Sequence, residues 1–479
     1  MNAIISHGFA PSHKQRLDEV LSRQRADFHH ELPVSVETRR DRLDRAIQVL
    51  LKHQDDFCQA MSEDFDGRPV LLSKLTDITS AVGALRHAKK HLASWMKPER
   101  RKVDFPLNLL GARARVEFQP KGVVGIISPW NYPVNLAMAP MAGALAAGNR
   151  VMLKPSEFTP ATSALLKSAL AEVFDETEVA VFNGGIELGK AFAALPLDHL
   201  VFTGATAVGR EVLAAAAPNL TPVTLELGGK SPTVVGASAD IEQAAERIVL
   251  GKMMNAGQTC LAPDYLLVQE GIRDTMVEAL IAAAQRIYPD VCGNDHYTSL
   301  VSERHAHRLR DLRREAERAG AEIRAGQTCG EDRRFPFTLV LDPADELAIM
   351  QEEIFGPLLP VKTWKTLDDV VGFINARPRP LGLYYFGSDT REQRELLDRT
   401  ISGGVTLNDV IYHVTAEDLP LGGVGASGMG SYHGQDGFRT FSHARAVYTQ
   451  SSLNLARMAG LIPPYGKKLE RMIRQQLKR

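Results

Sequence analysis

Beyond Phe105 short β-branched runs alternate repeatedly with helical stretches, and this alternation leaves few folds open to the chain. Short runs rich in β-branched residues (123–127, 151–153, 179–182, 200–203 and 223–227) are separated by helical stretches such as 161–173 and 209–217. Strands that alternate with helices are joined by crossovers, which makes them parallel and covers both faces of their sheet. A second set of strands follows Gly229, at 233–235, 266–269, 339–341, 383–386 and 404–408. Its helices are predicted at 242–255, 273–287, 303–319, 367–376 and 391–399. A chain of 479 residues exceeds one hydrophobic core, so two domains or more are expected. Composition does not shift between the two sets, and Gly228-Gly229 is the boundary the pattern offers. The class is α/β.

The first hundred residues read as helix. Leu43, Ile47 and Leu50 fall on one face, and Leu75, Ile78, Val82, Leu85, Ala88 and Leu92 on another, so these helices are expected to pack on a larger body. Residues 113–118 alternate polar and apolar, as a half-exposed strand does. At the other end, 467–479 places Leu469, Met472, Ile473 and Leu477 on one helical face with basic residues around it. Such a helix docks on its own protein or lies on a membrane surface; its three turns favour the first.

Charge and cysteine usage narrow the function classes. The net charge is −1, with 44% apolar and 24% charged residues, so no global field draws the chain to nucleic acid or acidic lipid. The longest apolar stretch, 134–148, is interrupted by Asn135 and Pro140 and is too short to span a bilayer. The N-terminus lacks the basic start and apolar core of a signal peptide. Cys58, Cys260, Cys292 and Cys329 are scattered without a CxxC pair, which argues against disulfides and a metal site and for a reducing, cytoplasmic location.

One of these cysteines has unusual neighbours. Gly257-Gln258-Thr259-Cys260 flanks a thiol with small and polar residues, whereas a core cysteine sits in an apolar run. A thiol attacks only as thiolate, so it must be partly exposed and stabilised. Glu226 lies 34 residues upstream, in Leu225-Glu226-Leu227-Gly228-Gly229-Lys230, where the glycines permit close backbone approach. That carboxylate is a candidate base, and its apolar neighbours would raise its pKa toward neutrality. Taken alone, a lone Cys is commonly structural, and a Glu before Gly-Gly commonly ends a strand.

Together with Pro129-Trp130-Asn131-Tyr132-Pro133 and Glu353-Ile354-Phe355-Gly356-Pro357, these segments resemble the aldehyde dehydrogenase superfamily from about Phe105 to about Tyr448. The resemblance implies a Rossmann-type cofactor domain, an α/β catalytic domain and a small β oligomerisation arm. On this sequence that means 1–228 as helical N-terminus and dinucleotide-binding domain, with an arm strand at about 111–120. Residues 229–425 become the catalytic domain carrying Cys260, and 426–479 a return segment with an arm strand at about 446–450 and the C-terminal helix. A homodimer or higher homo-oligomer is implied, with no transmembrane anchor and no nucleic-acid partner.

The same resemblance implies the chemistry. Cys260 attacks an aldehyde, and the developing oxyanion is met by the Asn131 amide and the Cys260 N–H. Collapse sends hydride to a nicotinamide and leaves a thioester on Cys260, which water activated by Glu226 hydrolyses to the acid. The cofactor is implied to be NAD, with NADP possible. Its implied binding residues are Trp130, Lys154, Glu157, Gly204, Gly209, Glu353 and Phe355. Gly204 and Gly209 bound a turn before a helix start, where free N–H groups suit a pyrophosphate; Ala205 replaces the Ser or Thr frequent there. Lys154 and Glu157 meet the adenine ribose, and the carboxylate disfavours a 2′-phosphate. Asn408-Asp409-Val410, 422–434 and 257–265 are similar to the class 3 branch, and among bacterial members to coniferyl aldehyde dehydrogenases. That implies an aromatic phenylpropenal substrate. A medium- or long-chain aliphatic aldehyde, a semialdehyde, and a cofactor-free cysteine hydrolase using His413 or His433 are the alternatives.

Overall fold

The computed structural model describes residues 13–105, 107–327, 333–454, 456–457 and 460–477. The N-terminal region is helical, at His13–Glu31, Val36–Lys52, Gln54–Phe65 and Ser80–Trp95. Ser35 caps the second of these, its hydroxyl accepting from the Thr38 N–H at 3.0 Å. Leu43, Ile47 and Leu50 are buried as their spacing predicts. Leu75 departs from its stripe: it is 62% exposed, while Asp77 is buried. Lys74–Thr79 is a π-helix, whose wider register shifts the phase of the face; the inward stripe resumes at Ile78, Val82, Leu85, Ala88 and Leu92.

Two strands, β1 (Glu99–Arg101) and β2 (Arg113–Pro120), follow these helices. Next come β3 (Val123–Ile127), β4 (Arg150–Lys154), β5 (Val179–Val181), β6 (His199–Gly204) and β7 (Val223–Leu227). Seven more follow: β8 (Pro232–Val235), β9 (Tyr265–Gln269), β10 (Glu322–Ala325), β11 (Thr338–Leu341), β12 (Leu358–Trp364), β13 (Gly382–Phe386) and β14 (Gly404–Leu407). The last two are β15 (Gly428–Met429) and β16 (Ser442–Thr449).

They form three sheets. One has the order β15-β7-β6-β3-β4-β5 and is parallel except for β15. A second has the order β10-β11-β12-β9-β8-β13-β14 and is parallel except for β10. The small third sheet is β1-β2-β16, antiparallel, with Ser442 opposite Pro120 and Thr449 opposite Arg113. Strands β10 and β12 escape the sequence pattern. The first is a short antiparallel edge whose charged residues alternate with Ile323 and Ala325. The second carries Pro360 in a central strand, where proline normally argues against a strand.

The chain leaves the carboxyl end of β7 at Leu227 and enters the amino end of β8 at Pro232. The carboxyl ends of the first sheet therefore face the amino ends of β8, β9 and β12, which lie side by side in register. Helix Asn135–Ala147 packs between strands β3 and β4 and the N-terminal helices with 12 of its 13 residues buried, and ends at Gly148 in the left-handed region. Its burial explains the apolar stretch seen in the sequence. Among the described residues no helix is long and apolar enough to cross a membrane.

Two expectations are corrected. Helix Lys467–Gln476 buries none of its residues: Ile473 is 44% and Leu477 77% exposed, so its apolar stripe is not docked on the body. The chain reaches it from β16, an arm strand that itself stands mostly exposed. Residues 478–479 of the expected helix lie outside the described residues. The scattered cysteines also mislead, because Cys292 is disulfide-bonded, whereas Cys58 and Cys260 are free. Residues distant in sequence meet around Cys292: Arg334 donates to its carbonyl at 2.9 Å, and Gln327 bridges to Tyr288 and Val291. Cys329 lies outside the described residues.

Candidate active site

Six segments converge where the two large sheets meet. Strand β3 delivers the loop 128–133, β4 ends at Lys154, β6 at Gly204, and β7 carries Glu226 one residue before its end. Carboxyl ends of parallel strands are where open α/β sheets bind ligands. From the second sheet come the loop 255–260, which precedes β9, and the loop 352–357, which precedes β12.

The loop bearing Cys260 is held in an uncommon conformation. Asn255, Ala256 and Gly257 have φ values of 52°, 54° and 72°, and such left-handed residues persist only where the surroundings over-determine them. A Cβ on Gly257 would stand 2.5 Å from the Gly356 carbonyl, so glycine at 257 lets the two loops touch backbone to backbone. Gln258 is buried and locked on both sides, donating to Ser299 O at 3.2 Å and accepting from Val301 N–H at 2.9 Å. Across the gap, Asn131 Nδ2 donates to Gln258 O at 3.1 Å, and the Tyr132 hydroxyl lies 2.6 Å from Thr259 Oγ1.

Cys260 itself is partly exposed. Burial raises its pKa well above the ordinary thiol value, and the Glu226 and Glu353 carboxylates add to the rise. Its own N–H and that of Leu261 oppose the shift and are outweighed. The resting group is therefore a neutral thiol, where the sequence suggested a stabilised thiolate. A base must take its proton, or a bound cofactor must change the local field.

Glu226 is 2% exposed, and neither carboxylate oxygen has a hydrogen-bond partner. Burial pushes its pKa up to about 8, poised to exchange a proton near neutral pH. Glu353 is similar: burial and the neighbouring Asp264 raise it to about 8, and its Oε1 is unpartnered. Phe355 has a φ of 51° and meets the edge of Trp130 at 5.3 Å between ring centroids; Trp130 also meets His305 at 5.1 Å. Glu352 is exposed and paired with Arg308.

The remaining predicted residues line the edge of the first sheet. Helix Thr206–Ala216 begins after Ala205, which supplies no side-chain cap, so its first N–H groups have no side-chain acceptor. A Cβ on Gly209 would lie 2.8 Å from Leu227 Cδ2, so this glycine seats the helix close on β7. A Cβ on Gly204 would meet the Phe202 ring at 2.6 Å. Lys154 Nζ donates to Glu157 Oε2 at 2.6 Å. Burial resists ionisation of Glu157, but this bond, its own backbone N–H and the lysine charge together outweigh it, holding the carboxyl below its usual range. An uncapped helix start, a lysine–carboxylate pair and an unsatisfied Glu353 oxygen fit a pyrophosphate and two riboses.

Sequence reasoning missed the supports behind these groups. Lys230 pairs with Asp264 and donates to Ile349 O and Glu352 O, each at 2.8 Å, while Asp264 accepts from Ile354 N–H at 2.9 Å. Together they pin the loop that carries Glu353. Asn255 Nδ2 donates to Asn131 O at 3.0 Å. Their signal in the sequence is only a polar residue inside an otherwise buried run.

The aldehyde dehydrogenase family model matches residues 7–447. The chain belongs to the aldehyde dehydrogenase family. It is 50% identical to a probable coniferyl aldehyde dehydrogenase of Caulobacter vibrioides, over all of both chains. It is 45% identical to the coniferyl aldehyde dehydrogenase of Pseudomonas sp. strain HR199, over 98% of each. Among solved structures, Staphylococcus aureus AldH in a substrate-bound state superposes with a TM-score of 0.90 at 36% identity, covering 96% of this chain and 99% of that one. As a member of this family the chain is an oxidoreductase that oxidises an aldehyde with NAD or NADP. Family membership decides against the cofactor-free hydrolase. Burial also lowers His413 and His433 to about 4, and His413 Nδ1 is engaged with Thr406 Oγ1 at 2.8 Å.

Proposed function

We propose that this chain oxidises an aromatic phenylpropenal of the coniferyl aldehyde type to its acid, with Cys260 as nucleophile, Glu226 as general base and Asn131 as oxyanion donor. The observation that carries the assignment of roles is the pair Cys260 and Glu226: a partly exposed thiol beside a buried carboxyl whose oxygens are unsatisfied and whose pKa is about 8. Glu226 accepts the thiol proton as Cys260 Sγ bonds to the carbonyl carbon. The oxygen that becomes negative is met by the second Asn131 amide N–H and the Cys260 N–H. The nicotinamide, when bound, supplies the hydride acceptor. Trp130, Phe355 and Glu353 orient its ring and ribose, Lys154 and Glu157 the adenine ribose, and the Gly204–Gly209 turn the pyrophosphate. Glu226 releases the thiol proton to solvent, then draws a proton from water as that water attacks the thioester carbonyl, and passes it to the sulfur of Cys260, which leaves as the thiol.

The names of the similar enzymes support the substrate class, and so do the side chains around the thiol. Tyr132, whose hydroxyl lies against Thr259 Oγ1, and Tyr384, whose hydroxyl donates to Leu261 O, are buried against the residues on either side of Cys260. Aromatic side chains beside the thiol suit a conjugated ring better than an acidic semialdehyde. A panel of coniferyl aldehyde, a medium-chain alkanal and succinic semialdehyde, each with NAD and NADP, tests this. The highest kcat/KM is expected for coniferyl aldehyde; a preference for the semialdehyde overturns the substrate assignment.

The sheet β15-β7-β6-β3-β4-β5 is the dinucleotide-binding unit of this reading, and the sheet containing β8 to β14 the catalytic unit. A homodimer joined through the arm is supported by β16, whose outer edge has no strand partner among the described residues. A cytoplasmic location is supported by dependence on a dinucleotide that other dehydrogenases must recycle. Light scattering of the purified protein tests the first, and fractionation of the producing cells the second.

A further inference from the structure

The loop that carries Asn131 is tied down by two charged residues from the N-terminal helical region, Arg68 and Asp77. Arg68 and Asp77 are both fully buried, with side chains 0% exposed. Arg68 Nη2 donates to Asp77 Oδ2 at 2.6 Å and to Thr76 Oγ1 at 3.0 Å. Arg68 Nη1 donates to the Asn131 backbone carbonyl at 2.9 Å. The other Asp77 oxygen accepts from the N–H groups of Val134 and Asn135, at 3.1 and 3.2 Å. It thereby caps helix Asn135–Ala147, whose own N-cap residue, Val134, has no side chain able to do so.

A buried ion pair is a costly way to hold a fold together, because two apolar residues of similar volume commonly do as well. What apolar residues cannot do is direct hydrogen bonds. Here every directed bond of the pair outside itself and Thr76 goes to the stretch 131–135. The Arg68 guanidinium also lies 5.1 Å from the centroid of the Tyr132 ring, whose hydroxyl reaches Thr259 beside Cys260. The peptide plane following Asn131 is thus fixed at its carbonyl by Arg68 and Asn255, and its helix continuation by Asp77. With that plane fixed, the Asn131 amide keeps one N–H on Gln258 O, and the other has one direction left to it.

We infer that Arg68 and Asp77 are positioning residues for the oxyanion site, acting through the backbone of Asn131. The inference rests on the reading of Asn131 as oxyanion donor. Hydrogen-bond donors stabilise a developing oxyanion only when held at the right distance, and a displacement near 1 Å costs on the order of a hundredfold in rate.

The test is a double-mutant cycle on the full-length enzyme, read by the pre-steady-state rate of NADH formation at saturating aldehyde. Variants are Arg68→Lys, Asp77→Asn and the apolar pair Arg68→Met with Asp77→Leu, each made in wild type and in Asn131→Ala. The apolar pair keeps the test usable if a single change leaves an unpaired buried charge and the chain fails to fold. Cofactor affinity, by quenching of tryptophan fluorescence, and thermal midpoint are measured alongside. The expected result is a loss of about ten- to hundredfold in wild type, with unchanged NAD affinity and with KM moving less than kcat. In the Asn131→Ala background the same changes should cost less than about twofold, since the group they position is gone. An equal loss in both backgrounds overturns the inference, because the pair then acts on the fold at large. Full activity in Asn131→Ala alone would instead remove the oxyanion reading itself, and the inference with it.

Discussion

The Glu353 carboxylate fills the space where a side chain at Gly228 would begin: a Cβ built there would sit 2.1 Å from Glu353 Oε2. The third residue of the Glu-Leu-Gly-Gly segment is thus glycine because a residue 125 positions later needs the room. Gly228→Ala should leave the fold intact, since the clashing atom is the far end of a mobile side chain. It should displace the carboxylate and lower kcat/KM about as much as Glu353→Ala does. The two variants should be compared for thermal midpoint and for NAD affinity; an active Gly228→Ala beside an inactive Glu353→Ala would mean that Glu353 works from another position.

Of the three described cysteines, only Cys260 is both free and partly exposed; Cys58 is free but fully buried. Iodoacetamide should therefore label Cys260 first, and Cys260→Ala should abolish dehydrogenase activity while leaving NAD binding intact. Because the resting thiol is neutral, the labelling rate of the free enzyme should keep rising through pH 9 rather than level off near neutrality. Peptide mapping after short exposures at a series of pH values checks both statements.

Glu226→Gln should separate the half-reactions. If thioester hydrolysis alone depends on this carboxylate, one equivalent of NADH appears in a burst, turnover then falls by roughly 100- to 10,000-fold, and an acyl adduct on Cys260 is visible by mass. A slowed burst would mean that Glu226 also deprotonates the thiol. Undiminished steady-state turnover would remove it from both steps.

The same residue should make stability depend on pH. Glu226 titrates at about 8 in the fold, against an ordinary value of 4.5. Between these limits the native chain keeps a proton that the unfolded chain releases. Its stabilising effect is therefore complete below pH 4.5 and is lost as pH rises toward and through 8. Glutamine stays neutral throughout, so the midpoint of Glu226→Gln should exceed that of wild type by more at pH 9 than at pH 5. A difference that does not change with pH would show that this carboxyl is not the raised one.

Glu157 should set the cofactor preference. Its carboxylate, already bonded to Lys154, stands against a 2′-phosphate, so NAD should be the better cofactor. Glu157→Ser should shift the NADP-to-NAD ratio of kcat/KM upward by about 1–3 kcal/mol, measured at one fixed ionic strength. An unchanged ratio would put another residue beside the 2′ position.

The sequence by itself determined the local elements and the reactive types. Short continuous apolar runs and a period of 3.6 residues mark β3 to β9 and their helices, because a strand buried on both faces is apolar throughout and a helix buried on one face needs apolar residues at its own spacing. The segments around Asn131, Glu226, Cys260 and Glu353 are likewise legible, because they carry several unusual residues in a row. Tertiary structure alone decided the rest. Strand β12 hides its identity behind Pro360, and the π-turn at 74–79 moves Leu75 out and Asp77 in, which no fixed helical period anticipates. The Cys292 disulfide depends on loops that only the fold brings together. The apolar neighbours of Glu226 already pointed to its raised pKa, but the state of the thiol was decided only by the packing: burial raises Cys260, whose small and polar neighbours suggested a stabilised thiolate. Arg68 and Asp77 carry the same lesson, since an ordinary surface-type pair nine residues apart becomes buried and directed only when the helices close over the loop at Asn131.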